Sequence, residues 1–238
     1  MLEVESDMLW NSDFLFLHIP KTAGKSLTKA FVQLLDRPMS CIVSKGQIRE
    51  IADCDHTNLT VIEGRGHENM EAARKILAEQ NKSLYTFQSI IVAIRNPYDL
   101  MVSNYFFMRK TYKHNKHRIN FQIAKENNFE DYTLKVGFAP LETWMTINGK
   151  QPENLRIIRF ENLQEDLDNF AKEFTLKPVK LPHINPSSHD HYSKYLTKIS
   201  EAAIYRKLKY LFDEGFYERH YFSSWHKIEA NLNKFINR

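Results

Sequence analysis

The sequence predicts an α/β fold in which helices flank a central parallel β-sheet. Short apolar runs occupy residues 14–18, 59–62, 90–94 and 155–160, and runs of this length are typical of buried strands. Each run is followed by polar residues and then by a segment with helical periodicity. Because strands that alternate with helices form parallel sheets, this order predicts the fold class.

The first predicted strand occupies residues 14–18, a continuous apolar run between Asp13 and Pro20. It is too short for a helix and is typical of a strand that is buried on both faces. Apolar residues at helical spacing between Leu27 and Leu35 predict the next element, a helix. Strand, turn and helix therefore form one unit.

Each later strand leads into a predicted helix, at residues 68–79, 98–110 and 162–174. Residues 114–146 are mostly helical by pattern, and we expect them to cover the open end of the sheet and to contact the substrate. Prolines, serines and histidines within 178–197 predict an irregular loop, a kind of segment that is often functional. Helical patterns return at 201–212 and 223–237.

The composition predicts a single globular domain over residues 1–238, with 42% hydrophobic and 26% charged residues. The net charge of +4 favours a small anionic ligand and is too mild to indicate nucleic acid as the main partner. Cys41 and Cys54 lack metal-ligand and disulfide spacing and are predicted to be buried thiols. The sequence shows no signal peptide or membrane segment, so we expect a cytoplasmic protein; it does not predict the oligomeric state.

Residues 20–26 form a Lys/Thr/Gly/Ser turn between the first strand and the first helix. A turn that feeds a helix directs backbone N–H groups and the positive end of the helix dipole at one spot, where an anion binds. Lys21 and Lys25 add positive charge, and Thr22 and Ser26 add hydroxyl donors. The turn is therefore a candidate phosphate site.

Two further groups of polar residues follow predicted strands: Arg65 with His67, and Arg95 with Ser103. Ligands of open α/β sheets bind at the carboxyl ends of the strands, so we expect these residues at the same edge as the turn. The Asn-Pro after Arg95 restricts the chain there, and a planar guanidinium suits bidentate phosphate binding. Together, the turn and Arg95 indicate one ligand with two separated anionic groups.

Two motifs cover these segments: His-Ile-Pro-Lys-Thr-Ala-Gly-Lys-Ser-Leu at 18–27 and Ile-Arg-Asn-Pro-Tyr-Asp-Leu-Met-Val-Ser at 94–103. They resemble the 5′-phosphosulfate loop and the 3′-phosphate element of the sulfotransferases that use 3′-phosphoadenosine 5′-phosphosulfate (PAPS). Segments 159–167 and 181–185 are similar to weaker downstream signatures of that family. The likeness is greatest to its carbohydrate group, typified by heparan sulfate 2-O-sulfotransferases and their bacterial relatives.

The resemblance implies a P-loop-NTPase-like sulfotransferase fold and direct, in-line sulfuryl transfer from PAPS to a hydroxyl acceptor. A carbohydrate is the leading acceptor class, and adenosine 3′,5′-bisphosphate is the product. Carried over by position, the resemblance implies that the 5′ end of PAPS would be held by Lys21, Thr22, Ala23, Gly24, Lys25 and Ser26, and the 3′-phosphate by Arg95 and Ser103. The resemblance also implies a catalytic role for Lys21, which would neutralise charge on the departing phosphate.

Gly-Arg-Gly-His at 64–67 resembles the element that supplies the catalytic histidine of this family. His67 is therefore the candidate general base, with Glu63 and Glu68 as alternatives. A base is needed because a sugar hydroxyl is a weak nucleophile at neutral pH, and an imidazole accepts its proton. The resemblance implies no metal, so we expect the three histidines of the 178–197 loop near cofactor or substrate instead: His183, His189 and His191.

Aromatic and basic residues alternate between Tyr105 and Arg118. Such residues stack on sugars and attract anionic glycans, which favours an anionic carbohydrate acceptor. The same pattern also fits an ordinary helix with one face in the core and one in solvent. Both interpretations of this stretch stay open.

Two other functions are compatible with the sequence. Gly-Lys-Ser at 24–26 resembles part of a Walker A loop, which would indicate a P-loop nucleotide kinase or NTPase. That motif requires glycine at position 19, where this chain has Ile19 followed by Pro20. The second alternative is a catalytically silent module that binds a glycan or a nucleotide. Lys25 stands where sulfotransferases usually have Thr or Ser, and we expect its charge beside the 5′-phosphosulfate.

Overall fold

The computed structural model describes residues 8–36, 38–44, 58–64, 67–182 and 189–223. The chain divides into two compact units. The first unit lies within Met1–Asn96 and Leu141–Ser188, and the second lies within Pro97–Pro140 and His189–Arg238. The single-domain organisation expected from the sequence stays a prediction.

A mixed sheet forms the centre of the first unit. Its strands are β1 (Met8–Trp10), β2 (Phe14–Leu17), β3 (Met39–Ser44), β4 (Leu59–Gly64), β5 (Ser89–Ile94) and β6 (Leu155–Arg159). Their order in the sheet is β4-β3-β1-β2-β5-β6. Strand β1 pairs antiparallel with β2 and β3, and all other pairs are parallel. The mostly parallel sheet confirms the predicted α/β class.

Two strands of this sheet differ from the sequence prediction. Residues 14–18 were expected to form the first strand, but β1 precedes them, and β3 was not predicted at all. Strand β1 has only three residues, which is too short for a recognisable pattern. In β3, serines stand at both ends of the short apolar run from Cys41 to Val43. Both strands are nevertheless built from buried apolar side chains.

The helices alternate with the strands as predicted. They are α1 (Gly24–Leu34), α2 (Met70–Glu79), α3 (Pro97–Asn115), α4 (Ile119–Glu126), α5 (Phe129–Lys135), α6 (Leu163–Glu173), α7 (Lys198–Lys207) and α8 (Lys209–Asp213). The helix predicted at 201–212 is in fact two helices that meet at Leu208. Residues 224–237 of the last predicted helix lie outside the described residues. No described helix is long and apolar enough to cross a membrane.

Aromatic rings hold α1 and α6 against the sheet of the first unit. Phe16 of β2 packs on Phe31 of α1 at a centroid distance of 5.0 Å, and Phe14 packs on Phe170 of α6 at 5.3 Å. The same core contains Cys41, whose pKa is raised to about 12 by burial. The buried thiol predicted at Cys41 is confirmed, and Cys54 lies outside the described residues. Because β2 and α1 are both fixed, the turn between them has a defined shape.

A buried ionic network organises the second unit. Glu201 of α7 is fully buried and accepts hydrogen bonds from the guanidinium of Arg219 at 3.0 and 2.8 Å. The hydroxyl of Tyr98, on α3, donates to the same carboxylate at 2.9 Å. This hydroxyl also accepts a bond from the backbone N–H of His220 at 2.9 Å. One carboxylate therefore ties α3, α7 and the segment after α8 together.

Candidate active site

The turn after β2 contains the predicted phosphate site. Strand β2 ends at Leu17 and α1 begins at Gly24, so the turn comprises residues 18–23 instead of the predicted 20–26. Lys21 and Ala23 have left-handed backbone conformations, with φ of 68° and 67°. Residues other than glycine adopt this conformation rarely, and such strain is concentrated at functional sites.

Lys25 and Ser26 lie in the first turn of α1 and not in the loop before it. N–H groups in the first turn of a helix have no intrahelical carbonyl to bind. The hydrogen bond from Leu27 N to Ala23 O, at 3.0 Å, closes this first turn. With the helix dipole, the amide groups before Leu27 form a position suited to an anion.

The buried hydroxyl of Thr22 stabilises the turn. Only 1% of Thr22 is exposed, and its hydroxyl donates a hydrogen bond to the carbonyl of Ile19 at 2.8 Å. The side chain of Ile19 is fully buried in the core. The position that is a glycine in a Walker A loop is therefore a core residue in this chain.

His18 lies directly against the start of α1. A Cβ atom on Gly24 would stand 1.8 Å from Cδ2 and Nε2 of His18, so only glycine leaves room for the imidazole. The same ring meets the ring of His67 edge to face, with 4.8 Å between centroids. His18 thus connects the turn after β2 to the predicted general base.

His67 stands between β4 and α2, at the carboxyl edge of the sheet. Its side chain is exposed and its φ is 55°, another left-handed residue that is not glycine. Of the alternative bases, Glu63 is exposed on β4, whereas Glu68 is only 5% exposed. An exposed imidazole is better placed than a buried carboxylate to meet an acceptor from solvent.

Arg95 follows β5 and is only 4% exposed. Its Nη1 donates a hydrogen bond to the carbonyl of Lys21 at 3.0 Å. Its guanidinium carbon lies 3.8 Å from the centroid of the Phe160 ring. The structure therefore connects Arg95 to the turn that the sequence assigns to the other end of the ligand.

The first unit brings together most of the predicted site: the turn with the start of α1, His67 and Arg95. Ser103 belongs to the second unit, where it is buried on α3, and its pairing with Arg95 stays a prediction. Arg65 lies outside the described residues, as does His183. Within the described ranges, no group of three or more His, Cys, Asp or Glu side chains could hold a metal ion.

Comparison with known protein families decides the class of this protein. The sulfotransferase domain family matches residues 13–209, a span that contains every residue of the predicted site. The chain belongs to the sulfotransferase family. It is also similar to the solved structure of mouse sulfotransferase SULT7A1 complexed with PAP, with 14% identity and a TM-score of 0.47. That alignment covers 92% of this chain and 88% of the mouse chain. Comparison with curated protein sequences gave no significant match.

Membership of the family confirms that the chain is a PAPS-dependent sulfotransferase and that PAPS is its cofactor. This sulfotransferase uses PAPS and acts on a hydroxyl-bearing acceptor. The family also excludes the P-loop nucleotide kinase or NTPase considered from Gly-Lys-Ser. The residues present fit PAPS, because the start of α1 offers backbone donors to an anion and Lys21 and Lys25 supply positive charge.

Sequence reasoning missed two residues that contact the candidate site, His18 and Phe160. Both contacts depend on tertiary structure: His18 meets Gly24 and His67, and Phe160 meets Arg95. Both residues lie within segments that carry the family resemblance, since His18 begins the first motif and Phe160 lies in the 159–167 segment. Their spatial partners could not be derived from spacing alone.

Proposed function

We propose that this sulfotransferase transfers the sulfuryl group to a carbohydrate hydroxyl, with His67 as the general base. The observation that carries the proposal is the contact chain from His67 through His18 to Gly24. Through these contacts the exposed imidazole of His67 lies near the start of α1, which is the proposed anion position. A base and a phosphate position so close together suit transfer between a bound donor and an incoming hydroxyl.

The donor would be held at both ends by residues of this chain. The groups proposed for the 5′ end are Lys21, Thr22, Ala23, Gly24, Lys25 and Ser26, and those for the 3′-phosphate are Arg95 and Ser103. When bound, PAPS supplies an activated sulfuryl group with a phosphate as its leaving group. Lys21 and the backbone amides at the start of α1 would stabilise the negative charge that develops there.

His67 would accept the proton of the acceptor hydroxyl as that oxygen attacks. Neutral imidazole is available at physiological pH and has one nitrogen that accepts a proton. The contact with His18 restricts the ring of His67, which keeps the base in a defined orientation. The proton passes directly from the hydroxyl oxygen to a ring nitrogen.

An anionic carbohydrate is the proposed acceptor, and support comes from α3 and the residues after it. Tyr105 and Arg109 serve packing, since Tyr105 is buried and Arg109 donates to the carbonyls of Ala124 and Lys125 at 2.9 and 3.2 Å. The side chains that this stretch leaves exposed are Phe107, Lys110, Lys113, His114, Lys116, His117 and Arg118. A cationic surface with an exposed aromatic ring suits an acidic glycan.

Transfer of labelled sulfate from PAPS to a panel of glycans, small alcohols and tyrosine peptides tests this function. We expect label on anionic glycans, and we expect His67→Ala to bind adenosine 3′,5′-bisphosphate normally while losing most of its transfer rate. Glu63→Gln and Glu68→Gln are the matched variants for the alternative bases. Normal transfer by His67→Ala, with a loss in either glutamine variant, would reassign the base.

The same assay tests the silent-module alternative and the acceptor class. A protein that binds adenosine 3′,5′-bisphosphate but labels no member of the panel would contradict the proposed activity. Label on tyrosine peptides or small alcohols, with none on glycans, would contradict the carbohydrate acceptor. The cytoplasmic location expected from the sequence stays a prediction that localisation of the tagged protein would test.

A further inference from the structure

The pairing of β5 with β6 brings two loop segments side by side. The two strands are parallel, and their last paired residues are Ile94 and Arg159. The chain leaves both strands at this edge, so Arg95 emerges beside Phe160 and Asn96 emerges beside Glu161. The 159–167 segment, to which the proposed function assigns no role, is therefore adjacent to the proposed 3′-phosphate residue.

Two contacts join these neighbouring residues. The guanidinium carbon of Arg95 lies 3.8 Å from the centroid of the Phe160 ring. The backbone N–H of Asn96 donates a hydrogen bond of 2.6 Å to Oε1 of Glu161. The segment that makes these contacts is itself anchored, because the N–H of Arg159 donates to Asp166 Oδ2 at 2.6 Å.

Each contact restricts a different freedom of Arg95. The aromatic face fixes the plane of the guanidinium, because cations and planar groups prefer to lie over the ring. The carboxylate of Glu161 fixes the backbone immediately after Arg95. A third contact, from Arg95 Nη1 to the carbonyl of Lys21 at 3.0 Å, fixes the guanidinium relative to the phosphate turn. Because these contacts already restrict the Arg95 side chain in the free protein, less conformational entropy is lost when a phosphate binds to it.

We propose that Phe160 and Glu161 are positioning residues that hold Arg95 in the orientation needed for the 3′-phosphate. The inference rests on the proposed assignment of Arg95 to that phosphate. It gives the 159–167 segment a role in cofactor selectivity, through discrimination between ligands with and without a 3′-phosphate. It also makes Arg95 the physical link between the two ends of the site, since the same side chain holds the left-handed Lys21.

The test measures dissociation constants for adenosine 3′,5′-bisphosphate and adenosine 5′-monophosphate by calorimetry, without turnover. Losing the aromatic face in Phe160→Leu should lower the preference for the bisphosphate by about tenfold, the size expected of a partly desolvated cation–π contact. Phe160→Tyr keeps the face and should restore the wild-type preference. Phe174→Leu removes an aromatic ring that packs on Phe14 and Phe170, away from Arg95, and should leave the preference unchanged.

Glu161→Ala is a second variant, and it should fold normally because Glu161 is exposed. It should also lower the preference for the bisphosphate, and Glu161→Gln, which retains an acceptor oxygen, should restore much of it. A normal preference in both Phe160→Leu and Glu161→Ala would overturn the positioning role. If Arg95→Lys also kept the wild-type preference, or if the wild type showed none, the assignment of Arg95 to the 3′-phosphate would fail instead.

Discussion

Gly24 is the residue at which the structure predicts the effect of a substitution most specifically. A methyl group at this position would stand 1.8 Å from two atoms of the His18 ring and 2.3 Å from a third. Contacts this short force the imidazole of His18 to move. The same imidazole meets the ring of His67, with 4.8 Å between centroids, so that contact changes as well. Gly24→Ala is therefore expected to disturb the turn and the proposed base together.

Two effects of opposite sign determine how much stability Gly24→Ala costs. Overpacking a buried contact costs about 1–3 kcal/mol, whereas alanine gains up to ~1 kcal/mol over glycine in a helix. The net loss for Gly24→Ala is about 0–3 kcal/mol, or a fall in Tm of up to roughly 12 °C for a chain of this size. In a His18→Ala background the overpacking disappears, so the same substitution becomes neutral or stabilising.

Urea unfolding of the four proteins in this double-mutant cycle measures the coupling. We expect a coupling free energy of about 1–3 kcal/mol between the two positions. Gly137→Ala is the matched control, because a Cβ there would meet Asn120 only at an ordinary 3.5 Å. An equal loss of stability from Gly24→Ala with and without the His18 ring would refute this account of the turn.

Two further predictions concern buried ionisable groups. Glu201→Ala removes both bonds from Arg219, whose side chain is only 11% exposed, so the free energy of unfolding should fall by about 3–5 kcal/mol in urea titrations; Glu71→Ala, at an exposed ion pair with Arg74, should cause no measurable loss. The pKa of Cys41 is raised from 9.0 to about 12, so the folded thiol keeps a proton that the unfolded chain releases. Stability should therefore fall as pH rises from about 9 to about 12, and this contribution should be absent in Cys41→Ala; identical pH slopes would contradict it.

The sequence predicts most of the sheet because its long parallel strands carry strong local patterns. The six-residue β5 is wholly apolar apart from Ser89, and its bounds differ from the prediction by one residue. Strand β1 escaped prediction because three residues cannot display a period. Its antiparallel direction follows from pairing with both β2 and β3, which is a tertiary property.

The candidate site also has one part that local sequence patterns predict and another part that they do not. The phosphate turn is predictable because a strand, a polar turn and a helix generate its backbone donors locally. The role of His18 depends on its ring filling the space beside Gly24, and the stacking of Phe160 on Arg95 depends on the register of β5 and β6. Such contacts depend on how side chains of different elements pack in three dimensions, so no local pattern reveals them.

The transfer of labelled sulfate from PAPS to anionic glycans by the wild type and by His67→Ala tests the central claim most directly. The account predicts that the wild type labels the glycan and that the variant binds adenosine 3′,5′-bisphosphate equally well but loses most of the transfer. Equal labelling by the two proteins, or wild-type labelling of tyrosine peptides instead of glycans, would contradict it.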